Sequence, residues 1–314
     1  MDSRRLEEHR LRNLLQTLLL IGGMVCVLWL SARLLLGPDA AWWLALMAAL
    51  LLGFAPRLSP ALVLRLYQAE PLGPGAAPNL HAVLAQLAGR AGLARVPALY
   101  YIPSRMLNAF AVGGRDDAVI GVTDGMLRAL SLRELAAVLA HELTHVRHDD
   151  IRVMGLADVV SRMTRALSLT GQVLLLVGLP LWLAGLWDIS FPGVALLVFA
   201  PTVTALLQLA LSRTREFHAD LGAVELTGDP RGLASALAKL ERQSGGLWEQ
   251  VLFPSRRNPD PSLLRTHPPT EERIRRLLAL APATDPLYTA TPVDRLRRAV
   301  PSRPPRQRAW GLWY

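Results

Sequence analysis

The chain has 314 residues, 52% of them hydrophobic, with a mean hydropathy of +0.29 and a formal net charge of +9. That apolar balance sets it apart from a soluble protein of this size, and a single cysteine, Cys26, excludes an internal disulfide. Of the 34 basic residues 33 are arginine, and no nucleic-acid-binding module accompanies them, so the charge points to anionic lipid headgroups.

Arg4, Arg5, Arg10 and Arg12 precede a first apolar stretch, about 14–36, which is long enough to cross a bilayer. Its length, and the lack of an Ala-x-Ala cleavage site, predict a retained anchor rather than a signal peptide. A second stretch, about 40–55, is short for a span, but Trp42 and Trp43 suit a membrane interface. Next, 80–92 reads as a helix. Segments 98–102, 108–112 and 118–122 read as strands, with Gly113-Gly114-Arg115-Asp116 as a turn. An edge strand can hold an extended peptide through its backbone. Asn108 and Ala109 are therefore candidate substrate contacts, with a plain structural hairpin as the other reading.

Segment 131–146 reads as a helix opened by a capping box, Ser131 with Glu134. Leu132, Leu135, Leu139, Leu143 and Val146 recur at helical spacing and predict a buried stripe. Within it stands His141-Glu142-Leu143-Thr144-His145, the HExxH zinc signature. Histidines four apart stack on one helical face and can grip one zinc. Glu142, next to the first of them, can take a proton from a bound water. The bland alternative is a surface helix with two incidental histidines. His148, near the end of this helix, suits its dipole.

A third apolar stretch, about 169–187, and a fourth, about 189–211, are each near the length of a span. Pro180, Pro192 and Pro201 are tolerated in membrane helices. A catalytic zinc needs a third protein ligand. The best source is Ser212-Arg213-Thr214-Arg215-Glu216-Phe217-His218-Ala219-Asp220, where Glu216 could ligate and Asp220 could accept the free ring N–H of a ligand histidine. Spacing alone leaves equally open an exposed helix with Arg215 and Glu216 as solvated charges. Further on, His267-Pro268-Pro269 with Glu271, Glu272 and Arg273 opens a helix to Leu280. It is either a loop and cap, or a place where His267 or Arg273 stabilises an oxyanion. The tail 281–314, rich in Pro and Arg, reads as disordered or surface-lying.

Arg57 and Arg65 follow the second stretch, Arg162 and Arg165 precede the third, and Arg213 and Arg215 follow the fourth. The short connections around 37–39 and 188 carry almost no positive charge. The positive-inside rule then sets both termini and every motif on the cytoplasmic side of a multi-pass protein of the cell membrane. Glu216 follows the fourth stretch by about five residues, roughly 7–8 Å along a continuing helix, which predicts a metal close to the bilayer surface.

The HExxH segment, the segment 212–220 and Thr266-His267-Pro268-Pro269-Thr270-Glu271-Glu272-Arg273 occur in the order seen in HtpX-like membrane metalloproteases, a family related to the CAAX prenyl endopeptidases. Asn108-Ala109-Phe110 resembles the family's Asn-Ala-Phe segment, and the resemblance spans roughly 60–280. One local departure is His148-Asp149-Asp150, where the family usually shows Asn-Gly-Asp; Asp150 keeps the acidic position. The resemblance implies a mainly α polytopic membrane protein, with about four transmembrane helices and a zincin-type (gluzincin) α+β catalytic domain containing a small sheet. The expected organisation is a hairpin at 1–56, a first catalytic half at 57–168, a second hairpin at 169–211, a second catalytic half at 212–280 and a basic tail at 281–314. It further implies an endopeptidase with one zinc per chain, held by His141, His145 and Glu216, with Glu142 as base and Asp220 and Asp150 behind the ligands. It also supports an oxyanion role for His267 and Arg273, protein or peptide substrates from the membrane or misfolded, and work in protein quality control. Two alternatives stay open: a prenyl-protein endopeptidase, for which four spans are few, and a non-proteolytic scaffold that keeps zinc as structure. The intact Glu142 speaks against the scaffold.

Overall fold

The computed structural model describes residues 3–40, 42–46, 60–185, 190–244 and 270–280. Among them, in chain order, the helices are α1 (Ser3–Leu36), α2 (Pro60–Leu66), α3 (Pro78–Ala91), α4 (Asp124–Ala129), α5 (Leu132–Arg147), α6 (Asp150–Leu183), α7 (Phe191–Thr227), α8 (Pro230–Ser244) and α9 (Thr270–Ala279). The strands are β1 (Glu70–Pro71), β2 (Ala98–Ile102), β3 (Ala109–Val112) and β4 (Val119–Thr123). The chain divides at 57/58, 151/152 and 214/215 into two units, each made of separated pieces of sequence. The division assigns 152–168 to the apolar unit; the sequence reading had set these residues in the catalytic half.

The first unit holds α1 and most of α6 and α7. Three helices among the described residues are long and apolar enough to cross a membrane, Leu14–Asp39, Asp150–Leu183 and Phe191–Thr227. The expected second span falls mostly outside the described residues. Met24, Leu28 and Ala32 of α1 cluster with Val160, Met163 and Leu167 of α6 and Leu211 of α7. Leu19, Leu176, Val177 and Phe199 point outward, as lipid-facing side chains do. Small residues let the helices approach: a Cβ on Gly171 would lie 2.7 Å from Leu197 Cδ1. The buried polar groups described here are answered without charge. Ser161 Oγ donates to Gln208 Oε1 at 2.7 Å, and Ser168 Oγ donates to the Leu197 carbonyl.

Both long helices outrun their apolar stretches. Helix α6 already starts at Asp150, and α7 continues through Glu216 to Thr227. The amphipathic flanks carry no local stop signal, so hydropathy marked only the C-terminal half of α6 and the N-terminal part of α7.

The second unit is a small mixed sheet backed by helices. The strand order is β1-β2-β4-β3, with β2 and β4 parallel and the outer pairs antiparallel. Leu99, Tyr101, Ile120 and Val122 enter a core shared with Leu80, Leu84 and Leu87 of α3 and Leu135, Leu139 and Leu143 of α5. Each such fully buried leucine contributes about 1.5–3 kcal/mol. Helix α3 ends as its sequence suggests, on Gly92 at φ 69°. Helix α5 is buried along nearly its whole length and packs on α3, α8 and β3.

Candidate metal centre

Helix α5 is fixed at its start before any chemistry is considered. Both halves of the Ser131–Glu134 capping box form. Glu134 also accepts from Ser235 Oγ at 2.6 Å and Lys239 Nζ at 2.7 Å, both on α8. Burial alone would push this carboxyl up, but Lys239, Ser235 and Ser131 outweigh it and hold it below the usual carboxylate value. Arg133 reaches Asp229 with two hydrogen bonds of 2.5 and 2.7 Å, so the first turn is tied down twice.

Two turns later His141 and His145 face the same way, both buried, with their Nε2 atoms 3.2 Å apart. Helix α7 brings Glu216 to them. Its Oε2 lies 3.5 Å from His141 Nε2 and its Oε1 lies 3.7 Å from His145 Nε2. This approach needs a glycine: a Cβ at Gly222 of α7 would lie 2.3 Å from Thr144 Cγ2 of α5. The ligand atoms of His141, His145 and Glu216 all fall within 4.8 Å of one another. Tetrahedral zinc with bonds near 2 Å separates its ligands by about 3.3 Å, so the donor set and spacing fit zinc.

The outer ring nitrogens set the tautomers. Asp150 Oδ2 lies 2.6 Å from His145 Nδ1, and Asp220 Oδ1 lies 3.1 Å from His141 Nδ1. A carboxylate accepts, so Asp150 keeps a proton on His145 Nδ1, and Asp220 stands beside His141 Nδ1; in both rings Nε2 is the atom turned toward the ligand cluster. Burial alone would drive the His141 imidazole down; Asp220 and Glu216 outweigh it and hold it at about 9. One buried arginine, Arg273, and one half-buried arginine, Arg215, complete the arrangement. Arg273 of α9 donates to both oxygens of Asp220, at 2.8 and 2.6 Å, and its Nη1 lies 3.1 Å from Glu216 Oε2. Arg215 donates to Asp150 Oδ1.

Glu142 is buried beside the ligands, and its Oε2 accepts the Ala111 N–H at 3.1 Å. Ala111 is on β3, which ends the sheet. The backbone of Asn108 faces inward: its N–H donates to Thr123 Oγ1 and its carbonyl accepts the Thr123 N–H. By alternation, Ala109 and Ala111 turn their N–H and C=O groups away from β4, where Glu142 takes up the Ala111 N–H.

The structure thus gathers His141, Glu142, His145, Asp150, Glu216, Asp220 and Arg273 into one buried cluster, with Asn108 and Ala109 on the strand alongside. His267 lies outside the described residues. His148 takes no place in the cluster; its Nδ1 lies 2.9 Å from the Thr144 carbonyl and its ring centroid 4.2 Å from that of His218. Asp149, where the family usually has glycine, takes φ 52° in the left-handed region glycine favours. Sequence reasoning missed two residues. Ala111 could have been found by alternation from Ala109 along the strand. Arg215 was counted among solvated flanking charges, and nothing local marks it as buried.

A model of peptidase family M48 matches residues 74–281. A protein named Protease HtpX homolog from Methylibium petroleiphilum is 33% identical over 292 residues, covering 86% of this chain and 98% of that protein. Proteins of the same name from Desulfatibacillum aliphaticivorans and Ralstonia pickettii are 34% identical over 290 and 282 residues, covering 86% and 84% of this chain and 90% and 91% of theirs. The crystal structure of S. mikatae Ste24p aligns with 86% of this chain and 66% of its own, at 22% identity and a TM-score of 0.48.

Proposed function

We propose that this chain, which belongs to peptidase family M48, is a zinc-dependent endopeptidase of the cell membrane that cleaves membrane or misfolded proteins at the cytoplasmic face, in the service of protein quality control. One observation carries the assignment: two helix-borne histidines and a glutamate from a second helix converge while a further carboxylate, Glu142, stands beside them. A structural metal site has no use for Glu142, which speaks against the scaffold alternative.

His141, His145 and Glu216 would hold the zinc, which supplies a Lewis acid for the scissile carbonyl and lowers the pKa of a water bound to it. Glu142 takes the proton that the attacking water gives up and returns it to the leaving nitrogen. An extended substrate pairs with the open edge of β3, using the backbone of Ala109 and the carbonyl of Ala111, next to Asn108. Asp150 and Asp220 hold the two imidazoles in register. Arg273 is engaged by Asp220 and Glu216, so we assign it to holding the ligand set and leave the oxyanion to His267. The apolar helices of a membrane-associated chain, and the arginines flanking them, support substrates presented at the cytoplasmic surface.

Glu142→Gln, purified in detergent beside the wild type, should keep one zinc per chain and lose at least about 10²-fold in cleavage of an unfolded protein substrate. Normal cleavage by that variant would remove Glu142 from the mechanism. A wild type without zinc would undo the ligand set.

A further inference from the structure

Arg215 stands in the sequence where a membrane protein shows its cytoplasmic positive charge, four residues after Leu211 and next to Glu216. Its side chain does not behave as such a charge. It is only 11% exposed, and it donates through Nη2 to Asp150 Oδ1. Its Nε is buried with no hydrogen-bond partner. A half-buried guanidinium with an unanswered Nε carries a desolvation cost of its own, while its loss would leave Asp150 buried without a cation.

What Arg215 touches suggests why it stays. Asp150 is 1% exposed, and its other oxygen lies 2.6 Å from His145 Nδ1. Arg215, Asp150 and His145 thus form a relay ending on the metal-facing Nε2. The partner histidine has a relay of the same kind, in which Arg273 holds Asp220 against His141. An aspartate buried beside an imidazole is oriented by a cation on its far side, and its orientation fixes the tilt of the ring. The two relays differ in how they are tied. Arg273 grips Asp220 with two bonds and contacts Glu216 as well, whereas Arg215 makes a single contact with Asp150.

We propose that Arg215 is a positioning residue of the metal centre: through Asp150 it sets the orientation of His145 and so governs how tightly zinc is held. This rests on the zinc reading given above. The test uses the full chain in detergent and measures the zinc dissociation constant by competition with a chromophoric chelator. The melting temperature of the metal-free protein is measured beside it. Arg215→Met should weaken zinc binding about 10-fold, the lower end for residues behind a metal ligand; it should also lower the metal-free melting temperature, because Asp150 is left buried without its cation, and that fall should vanish in the Asp150→Asn background. Asp150→Asn should weaken it at least as much, and adding Arg215→Met to Asp150→Asn should change little further, because both act on one ring. Arg215→Lys should recover part of the loss. Should the Met variant fail to fold, Arg215→Gln, which keeps polarity without charge, carries the same expectation.

Wild-type zinc affinity in Arg215→Met or Arg215→Gln would overturn the proposal. So would a loss of affinity that is equally large in the Asp150→Asn background. A wild type that binds no zinc would instead sink the underlying zinc reading, and this inference with it.

Discussion

The two units bury polarity in opposite ways. Among the described residues, the buried polar side chains of the apolar unit are all hydroxyls: Thr17, Ser31, Ser161, Thr164, Ser168, Thr204 and Ser212. Several return their proton to their own helix, as Thr164 does to the Val160 carbonyl and Thr204 to the Ala200 carbonyl. The second unit buries Asp124, Glu134, Glu142, Asp150, Glu216, Asp220, Asp229 and Arg273. Hydroxyls can be satisfied by the nearest backbone, so they are tolerated anywhere along a helix. Charges need partners of opposite sign from other elements, so they collect where several elements meet. Among the described residues, the candidate metal centre lies in the second unit, where the architecture brings such partners together.

The sharpest break in this contrast should come from removing one partner of a buried pair. Arg273→Met leaves Asp220 and Glu216 without their cation, and we expect a loss of about 3–5 kcal/mol in unfolding experiments on the metal-free protein. A loss under about 1 kcal/mol would show that the cluster is more solvated than its burial implies.

Glycine contacts offer a smaller, paired comparison. In the second unit Gly222→Ala would press on Thr144, a β-branched side chain whose Oγ1 already donates to the Ala140 carbonyl. In the first, Gly171→Ala meets the flexible end of Leu197. Gly222→Ala should therefore cost about 1–3 kcal/mol by thermal unfolding, and Gly171→Ala distinctly less. Equal costs would mean that Thr144 can turn away.

The pH dependence of stability separates the units further. The Glu134 carboxyl is held below its ordinary value, so its contribution is complete above the unfolded value of about 4.5 and is lost as pH falls through the lower folded value. Glu134→Gln should lower stability near neutrality and flatten the acid limb of a melting-temperature profile. An unchanged acid limb would remove Glu134 as its cause. Smallest of all, Ser161→Ala in the first unit removes one interhelical hydrogen bond and should cost about 0.6 kcal/mol.

What the sequence disclosed follows the same division. Signals that act within a few residues were legible: the Ser131–Glu134 box, the histidines four apart, the strand Ala98–Ile102, and the apolar stretches. Strand β1 is two residues long and exists only because Glu70 and Pro71 meet Tyr101 and Tyr100, which no local pattern announces. The parallel pairing of β2 with β4 is equally a product of tertiary contact. Glu216 was reachable through the helical spacing to Asp220 and a family resemblance. Arg215 was not, because depth in a fold is not written in a residue's neighbours. Arg273 was singled out as a candidate, but its partner lies 53 residues away, and the spacing could not show that it grips Asp220.

The centre's contacts are also unequal in time. His145 and Asp150 are five residues apart, so this half closes a short loop as soon as α5 and the start of α6 have left the ribosome. Arg215 reaches Asp150 across 65 residues, and Arg273 reaches Asp220 across another 53. Synthesis from the N-terminus therefore presents a pair of histidines long before the carboxylate that completes the set, and the arginine that steadies that carboxylate emerges last. On the proposed function, the order of the chain's own residues postpones a complete metal centre until α9 has been made.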